Sequence, residues 1–195
     1  MRFTLIFSFL FIVNLSCDAG VPLFDEQRAY KNLLEQCEFG PRNPGSVGHM
    51  ETKKYIINIV EELADTVLLQ DFSFNIYGEE ESYDGTNIIA RYNVFSPVQV
   101  LIGAHWDTRP WADKDRNKGN IGKPIIGAND GASGVAILLE LARLLKFSPA
   151  PIGINIVFFD AEDSGVSGDN ESYCKGSIYF SKNLPIKGIK EAIIL

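Results

Sequence analysis

Residues 133–159 read SGVAILLELARLLKFSPAPIGINIVFF, and the apolar periodicity of this stretch changes midway. Over residues 133–146 apolar side chains recur every three or four positions, which predicts a helix with one buried face formed by Val135, Leu138, Leu139, Ala142 and Leu145. Residues 152–159 form a short, continuous, β-branched apolar run, typical of a strand that is covered on both faces. A buried helix followed by a buried strand indicates an α/β fold.

The segments on either side continue this alternation. The runs VQVLIGA and EAIIL have the same strand composition, so the second half of the chain predicts strand, helix, strand, helix and a last buried strand. A leading antiparallel hairpin is predicted around the polar stretch GEEESYDG. The predicted elements before the quoted stretch are helices over 24–38 and from a cap at Ser46 to 63, and strands over 67–77, 86–92 and 98–104. The expected fold is a three-layer α/β/α sandwich with a mixed β-sheet.

Composition limits the number of domains and the kinds of partner. The 195 residues are 46% hydrophobic and 22% charged, which is typical of one globular domain with a sizeable core. The formal net charge is -7, and lysines and arginines form no cluster along the sequence. Because nucleic-acid binding needs such clusters to contact phosphates, we expect no nucleic-acid partner. Residues 18–195 are expected to form a single domain.

Residues 1–17 have the features of a signal peptide. A positively charged residue precedes the apolar run 3–15, and small residues follow it where cleavage would occur. The run is too short to span a bilayer. The triplet LSC also resembles a bacterial lipobox, in which the cysteine receives lipid after cleavage. We therefore expect export to the bacterial periplasm or cell envelope, with membrane attachment only through a lipid anchor at Cys17. In that oxidising compartment Cys37 and Cys174 could form a disulfide or remain two buried thiols, and the sequence leaves both open.

Four acidic residues and one histidine lie next to the predicted buried strands. VQVLIGA runs into His105 and Asp107, and GINIVFF is soon followed by Glu162 and Asp163, while Asp130 precedes the helix between them. Because open α/β sheets bind ligands beyond the carboxyl ends of their strands, we expect these five side chains to share one rim. Such carboxylates cannot all stay ionised without a compensating cation. Carboxylate and imidazole ligands suit zinc.

Asp130 lies in the glycine-rich stretch PIIGANDGASG, residues 124–134. Gly127, Gly131 and Gly134 are expected to let the backbone turn tightly, so that Asp130 projects into the rim. The simplest alternative makes Asp130 an ordinary N-cap of the following helix. A phosphate-binding loop is not expected, because the stretch has no lysine and its acid would repel phosphate.

Five segments carry a resemblance to a known family: FGPRNPGS (39–46), GAHWDTRPWADKD (103–115), PIIGANDGASGVAILLELARLL (124–145), FFDAEDSG (158–165) and YCKGSIYFSKN (173–183). Together they resemble the zinc-dependent glutaminyl-peptide cyclotransferases of the animal and bacterial periplasmic type, which share their fold with zinc aminopeptidases. The resemblance runs from about Phe39 to the end of the chain. It implies a zinc exopeptidase fold, zinc as cofactor, and peptides or proteins with N-terminal glutamine as substrates.

The resemblance also implies roles for the rim residues. Asp130 and Asp163 match zinc ligands, and Glu162 matches the general acid and base. His105 and Asp107 match a His-x-Asp pair that serves a second metal and its orientation in the aminopeptidases, whereas in the cyclases this histidine is not a ligand. No substrate-binding residue is assigned.

Three neighbouring residues receive no role from the resemblance. Asp160 is expected to cap the strand end or be solvated there. Trp106 and Trp111 either wall a side-chain pocket or pack as ordinary aromatic residues.

Three functions remain open. In a glutaminyl cyclase, one zinc ion polarises the γ-amide carbonyl of an N-terminal glutamine, the peptide's own α-amine attacks it, and Glu162 would carry the proton to departing ammonia. A zinc aminopeptidase instead activates water, commonly between two metal ions, which would recruit His105 and make Asp130 a bridging ligand. The third alternative is an inactive fragment or binding module. RPWADKD favours the cyclase, and a zinc stoichiometry of one, two or none separates the three.

We expect a catalytic domain that is incomplete at its C-terminal end. The resemblance implies a third zinc ligand, a histidine from beyond Leu195, whereas the histidines of this chain are His49 and His105. His49 is expected to lie far from the strand ends that form the rim. The chain alone should therefore bind zinc weakly, lack cyclase activity and aggregate through its last strand. Alternatively, His105 could join Asp130 and Asp163 on one ion.

Overall fold

The computed structural model describes residues 22–76 and 78–195, so the predicted signal peptide lies outside the described residues. The described elements are α1 (Glu26–Glu38), α2 (Val47–Leu63), β1 (Thr66–Asn75), β2 (Ser82–Tyr92), β3 (Gln99–His105), α3 (Ser133–Phe147), β4 (Gly153–Phe159), α4 (Lys175–Lys182) and β5 (Ile189–Ile194). Every helix and strand predicted from periodicity is confirmed within a few residues. Ser46 caps α2 as predicted, because its side chain accepts a hydrogen bond from the His49 backbone N–H. In the part of the chain described, no helix has both the length and the apolarity to cross a membrane.

The five strands form one mixed sheet in the order β1-β2-β4-β3-β5. β2 is antiparallel to both β1 and β4, while β3 is parallel to β4 and to β5. The predicted antiparallel hairpin is therefore the pair β1 and β2. The parallel pairs place the carboxyl ends of β3 and β4 next to each other, which determines where the site forms.

Helices cover both faces of the sheet. On one face α2 and α3 pack against β2, β3 and β4, and α1 packs on α3. The core on this face includes Ile56, Val60, Val135, Leu138, Leu139, Ile88, Ile156 and Phe158. On the opposite face Phe180 of α4 packs among Ile89, Leu101, Val157 and Phe159. These layers confirm the predicted α/β/α sandwich.

The last strand differs from the prediction of a buried strand. β5 is the outermost strand of the sheet beside β3, and Ile193, Ile194 and Leu195 are 50%, 58% and 51% exposed. Apolar composition identified this segment as a strand, but composition does not distinguish a central strand from an edge strand. An exposed apolar edge of this kind can pair with other chains.

The two described cysteines do not form a disulfide. Cys37 of α1 and Cys174, which precedes α4, are free, and both are partly exposed rather than buried. The sheet separates them, because α1 packs on the α3 side and α4 packs on the other face.

Candidate active site

The ends of β3 and β4 bring the predicted residues together. His105 is in register with Phe159, so residues 105–107 and 160–163 leave the sheet side by side. The carboxylate of Asp107 is fully buried and accepts hydrogen bonds from the backbone N–H groups of Glu162 (2.9 Å) and Asp163 (3.1 Å). Asp107 thus ties the two strand ends to each other.

Asp130 approaches the same rim from the loop before α3. The N-cap of α3 is Ala132, and no side chain caps the helix, so the alternative that Asp130 is an ordinary N-cap is wrong. Asp130 has extended backbone dihedral angles (φ -119°, ψ 97°) and a 65% exposed side chain. Its Oδ1 atom lies 2.8 Å from Nε2 of His105, which joins the loop to the end of β3.

The glycines around Asp130 have different reasons for being glycine. Gly127 has a φ of 59°, a left-handed conformation that supports the predicted tight turn. Gly131 instead allows a close approach, because a Cβ atom there would lie 2.7 Å from Nε2 of His105. Gly134 is similar, since an added Cβ would lie 2.8 Å from the Cβ of Ala104. The prediction of tight turning therefore holds for Gly127 and is wrong for the other two, which do not have positive φ.

His105 lies between two carboxylates. Nε2 faces Asp130, and Nδ1 lies 3.4 Å from Oδ1 of Asp107. Burial lowers the pKa of His105, but hydrogen bonds to Asp107 and Asp130 outweigh burial and raise this pKa to about 11. In turn, the hydrogen bond from His105 lowers the pKa of Asp130.

The pKa values of Glu162 and Asp163 are raised, whereas that of Asp130 is lowered. Burial raises the pKa of Glu162; His105 opposes this effect, and Asp107 and Asp130 add to it. Burial and the charge of Asp130 raise the pKa of Asp163 to about 6, although Arg109 opposes this shift. Burial is thus the main reason that both carboxyl groups hold their protons more strongly than exposed ones, and neighbouring carboxylates add to it.

The carboxylates fit zinc in chemical type. Asp130 and Asp163 line the same cavity of about 440 Å³, and a cation between them would offset the repulsion that raises the pKa of Asp163. Within residues 22–76 and 78–195, no group of three or more His, Cys, Asp or Glu residues is placed to hold a metal ion. A catalytic zinc site normally has three protein ligands, so the described residues do not by themselves form a complete site of that kind.

Arg109 forms part of this cavity and was not predicted from the sequence. Its guanidinium donates two hydrogen bonds to the Asp113 carboxylate (2.8 and 2.7 Å) and one to the Asp163 backbone carbonyl (3.2 Å). It also lies 5.3 Å from the ring centre of Trp111 and 5.6 Å from that of Tyr173. The signal in the sequence was RPWAD, which spaces an arginine and an aspartate four residues apart.

The tryptophans and Asp160 occupy different environments. Trp111 lines the cavity, whereas Trp106 is fully buried in the core. Asp160 is also fully buried, so the alternative of solvation at the strand end is wrong, whereas the capping alternative is confirmed, because its carboxylate accepts the backbone N–H of Ala161 at 2.8 Å. Its Oδ1 lies 2.9 Å from Nε2 of His49, so the prediction that His49 lies far from the rim strand ends is wrong as well. The first turn of α2 packs beneath the end of β4, and local sequence did not indicate that contact.

Arg42, from the segment FGPRNPGS, is a second residue that the sequence did not single out. It is fully buried and donates hydrogen bonds to the backbone carbonyls of Trp106 (3.0 Å), Ile126 (2.8 Å) and Gly127 (2.8 Å). Arg42 therefore joins the segment after β3 to the loop that carries Asp130.

Known proteins resemble this chain in sequence and in fold. The sequence pattern of peptidase family M28 matches residues 87–194. A glutaminyl cyclase from Bacteroides thetaiotaomicron, solved bound to N-acetylhistamine, is 39% identical and has a TM-score of 0.84 over 90% of this chain. A Zn-dependent exopeptidase from Parabacteroides distasonis is 32% identical, with a TM-score of 0.84 over 90% of this chain. The glutaminyl-peptide cyclotransferase of Gloydius blomhoffii is 28% identical over 160 residues, or 75% of this chain.

These proteins are longer than the present chain. It spans 62% of each of the two solved chains and 40% of the Gloydius blomhoffii protein. Within that span, the predicted zinc exopeptidase fold is confirmed.

Proposed function

Because this chain belongs to peptidase family M28, we propose that it is part of a zinc-dependent enzyme that converts the N-terminal glutamine of peptides to pyroglutamate and releases ammonia. The observation that carries the proposal is the similarity to glutaminyl cyclase, at 39% identity and a TM-score of 0.84. The segment that matches the family includes Asp130, Glu162 and Asp163, to which we assign the chemistry.

Asp130 and Asp163 would hold the zinc ion. When bound there, zinc supplies a Lewis acid for the γ-amide carbonyl of the substrate. One ion is expected, because the attacking amine belongs to the substrate and no metal-activated water is needed. His105 then serves as a hydrogen-bond partner of Asp130, at 2.8 Å, rather than as a ligand.

Glu162 would transfer the proton. As the α-amine nitrogen forms a bond to the carbonyl carbon of the side-chain amide (Cδ), Glu162 takes a proton from the amine and returns it to the amide nitrogen, whose bond to that carbon breaks to release ammonia. Burial raises the pKa of Glu162, which suits a group that must both accept and donate a proton. The hydrogen bond from its backbone N–H to Asp107 keeps the residue at the rim. Because nucleophile and carbonyl belong to one residue, proximity supplies much of the acceleration.

A zinc aminopeptidase is the second candidate. The similarity to the Zn-dependent exopeptidase favours it, and so does the position of His105 beside Asp130, where it could bind a second metal ion. Zinc stoichiometry separates the candidates, since one ion supports the cyclase and two support the peptidase.

We assign residues 1–17 to a cleaved signal peptide and residues 18–195 to the N-terminal part of the catalytic domain, in the bacterial periplasm or cell envelope. The order of a basic residue, an apolar run and small residues supports this assignment. Mass spectrometry of the natural protein should find a chain that starts at or just after Cys17, with added lipid mass if Cys17 is the anchor. An intact Met1 would contradict export.

The natural protein should be assayed for release of ammonia and pyroglutamate from a glutaminyl peptide, in parallel with an aminopeptidase substrate. Pyroglutamate formation supports the cyclase, and release of free amino acids supports the peptidase. The absence of both products, together with the absence of bound zinc, supports the inactive module. Residues 1–195 expressed alone should form no pyroglutamate, and stoichiometric zinc together with product would overturn that expectation.

Variants test the assigned roles. In the complete natural protein, Asp130→Ala and Asp163→Ala should each lose zinc, as measured by elemental analysis after dialysis. Glu162→Gln should keep zinc yet slow turnover by on the order of 10²–10⁴-fold. Undiminished zinc in both aspartate variants, or near-normal turnover in Glu162→Gln, would reject the corresponding role.

A further inference from the structure

Behind the rim, Asp160 forms a buried hydrogen-bonded centre that the proposed chemistry does not use. Its side chain has no exposed surface. Its carboxylate accepts hydrogen bonds from Nε2 of His49 (2.9 Å), from the backbone N–H of Thr86 (2.8 Å) and from the N–H of Ala161 (2.8 Å). A fully buried carboxylate with three donors is a costly feature, and such groups persist where they are satisfied and hold a specific arrangement.

The same cluster contacts both segments of the rim. The ring of His49 stacks on Trp106, with ring centres 4.3 Å apart and an interplanar angle of 20°. Trp106 lies between His105 and Asp107 in the sequence, and its indole N–H donates to the Thr86 carbonyl at 3.2 Å. His49 therefore touches the segment after β3 through its ring face and the segment after β4 through its ring nitrogen.

The residue after Asp160 has an unusual backbone conformation, at the point where the chain leaves β4 for the rim. Ala161 has a φ of 54°, a left-handed conformation that non-glycine residues adopt only where their surroundings hold them. The Asp160 carboxylate binds the N–H of this residue. Immediately after the turn, the N–H groups of Glu162 and Asp163 reach the carboxylate of Asp107.

We propose that His49 and Asp160 are positioning residues, whose buried hydrogen bond holds the turn that presents Glu162 and Asp163 at the rim. The inference rests on the proposed function for the chemistry of Glu162 and Asp163. The positioning itself does not depend on zinc or substrate. An experiment can therefore refute the positioning proposal without refuting the proposed function, or refute the proposed function without refuting the positioning.

Amide hydrogen exchange measured by NMR tests this positioning directly. His49→Phe keeps an aromatic ring against Trp106 and removes the donor to Asp160, whereas His49→Gln keeps an N–H donor and removes the ring. In His49→Phe the amides of Glu162 and Asp163 should exchange about tenfold faster or more, relative to core amides of β2, because the turn opens locally. His49→Gln should restore part of the protection. If His49→Phe does not fold, the smaller His49→Leu takes its place.

A matched control is Glu140→Gln, which alters another fully buried carboxylate, on α3, that pairs with Arg143. This variant should destabilise the whole domain and leave the ratio of rim to core exchange unchanged. Unchanged protection at Glu162 and Asp163 in His49→Phe would overturn the proposal. So would equal loss of protection in Glu140→Gln, or greater loss in His49→Gln than in His49→Phe.

Discussion

Replacing Asp107 with asparagine tests whether this buried carboxylate holds the two site segments together. Asparagine has nearly the same shape but offers one acceptor oxygen, while its NH₂ group faces a backbone N–H. Either Glu162 or Asp163, whose N–H groups lie 2.9 and 3.1 Å from the carboxylate, would therefore lose its acceptor. His105 would also lose a charged partner at 3.4 Å.

The magnitude follows from these contacts. A hydrogen bond to a charged group contributes about 1.5–3 kcal/mol, and an unsatisfied buried N–H costs a similar amount. Removing the negative charge of Asp107 relieves its repulsion with Glu162 and Asp163, which offsets part of the loss. We expect Asp107→Asn to lower the free energy of unfolding by roughly 2–3 kcal/mol. For a domain of this size, that corresponds to about 4–12 °C in Tm.

Urea unfolding followed by tryptophan fluorescence measures this change, because Trp106 and Trp111 flank the substituted position. Asp115→Asn is the matched control, since Asp115 is exposed and also accepts a backbone N–H, from Asn117 at 2.7 Å. The control should lose no more than about 0.5 kcal/mol. The anchoring role of Asp107 is refuted if the two variants unfold at the same urea concentration.

Three further substitutions probe the segments around the site. Gly131→Ala should lower stability by roughly 1–3 kcal/mol in a thermal-unfolding assay, because the added Cβ would collide with His105. Gly122→Ala is the control and should leave stability unchanged, because its Cβ would point into open space, and equal melting temperatures of the two variants would contradict the prediction. Arg109→Lys should lose the bidentate hydrogen bonds to the Asp113 carboxylate and make the cavity wall more mobile, which proteolysis should detect as faster cleavage between residues 109 and 115. An unchanged cleavage rate would argue against a role of Arg109 in holding this wall. Arg42→Met leaves the backbone carbonyls of Trp106 and Ile126 without donors, while the Gly127 carbonyl keeps the Ala132 N–H, and should cost roughly 2 kcal/mol or more in urea unfolding. A loss below about 1 kcal/mol would show that water replaces the guanidinium.

The sequence predicted which residues lie together at the candidate site, because the positions of these residues after the strands could be read from it. Because parallel strands end at the same edge of a sheet, His105, Asp107, Glu162 and Asp163 could be placed on one rim from their positions after two apolar runs. The approach of Asp130 followed from the helix between those runs. Nothing in the spacing showed that Asp107 would bind the backbone of the second segment.

The contacts that the sequence did not reveal join residues far apart along the chain. His49 and Asp160 are 111 residues apart, and Arg109 meets Asp163 across 54 residues. No local pattern encodes such pairs, because they depend on how α2 and the loop after β3 pack against the ends of the strands.

The sequence by itself determined the helices, the strands, the alternation that makes an α/β/α sandwich, and the acidic character of the rim. These features follow from local periodicity and from the residues at the strand ends, which are both read within tens of residues. Tertiary structure alone decided that Asp160 is buried against His49, and that Gly131 is glycine because His105 approaches it. Burial and close approach depend on which two surfaces pack together. Local sequence patterns determine the character of each surface, but they do not determine which surfaces will be in contact.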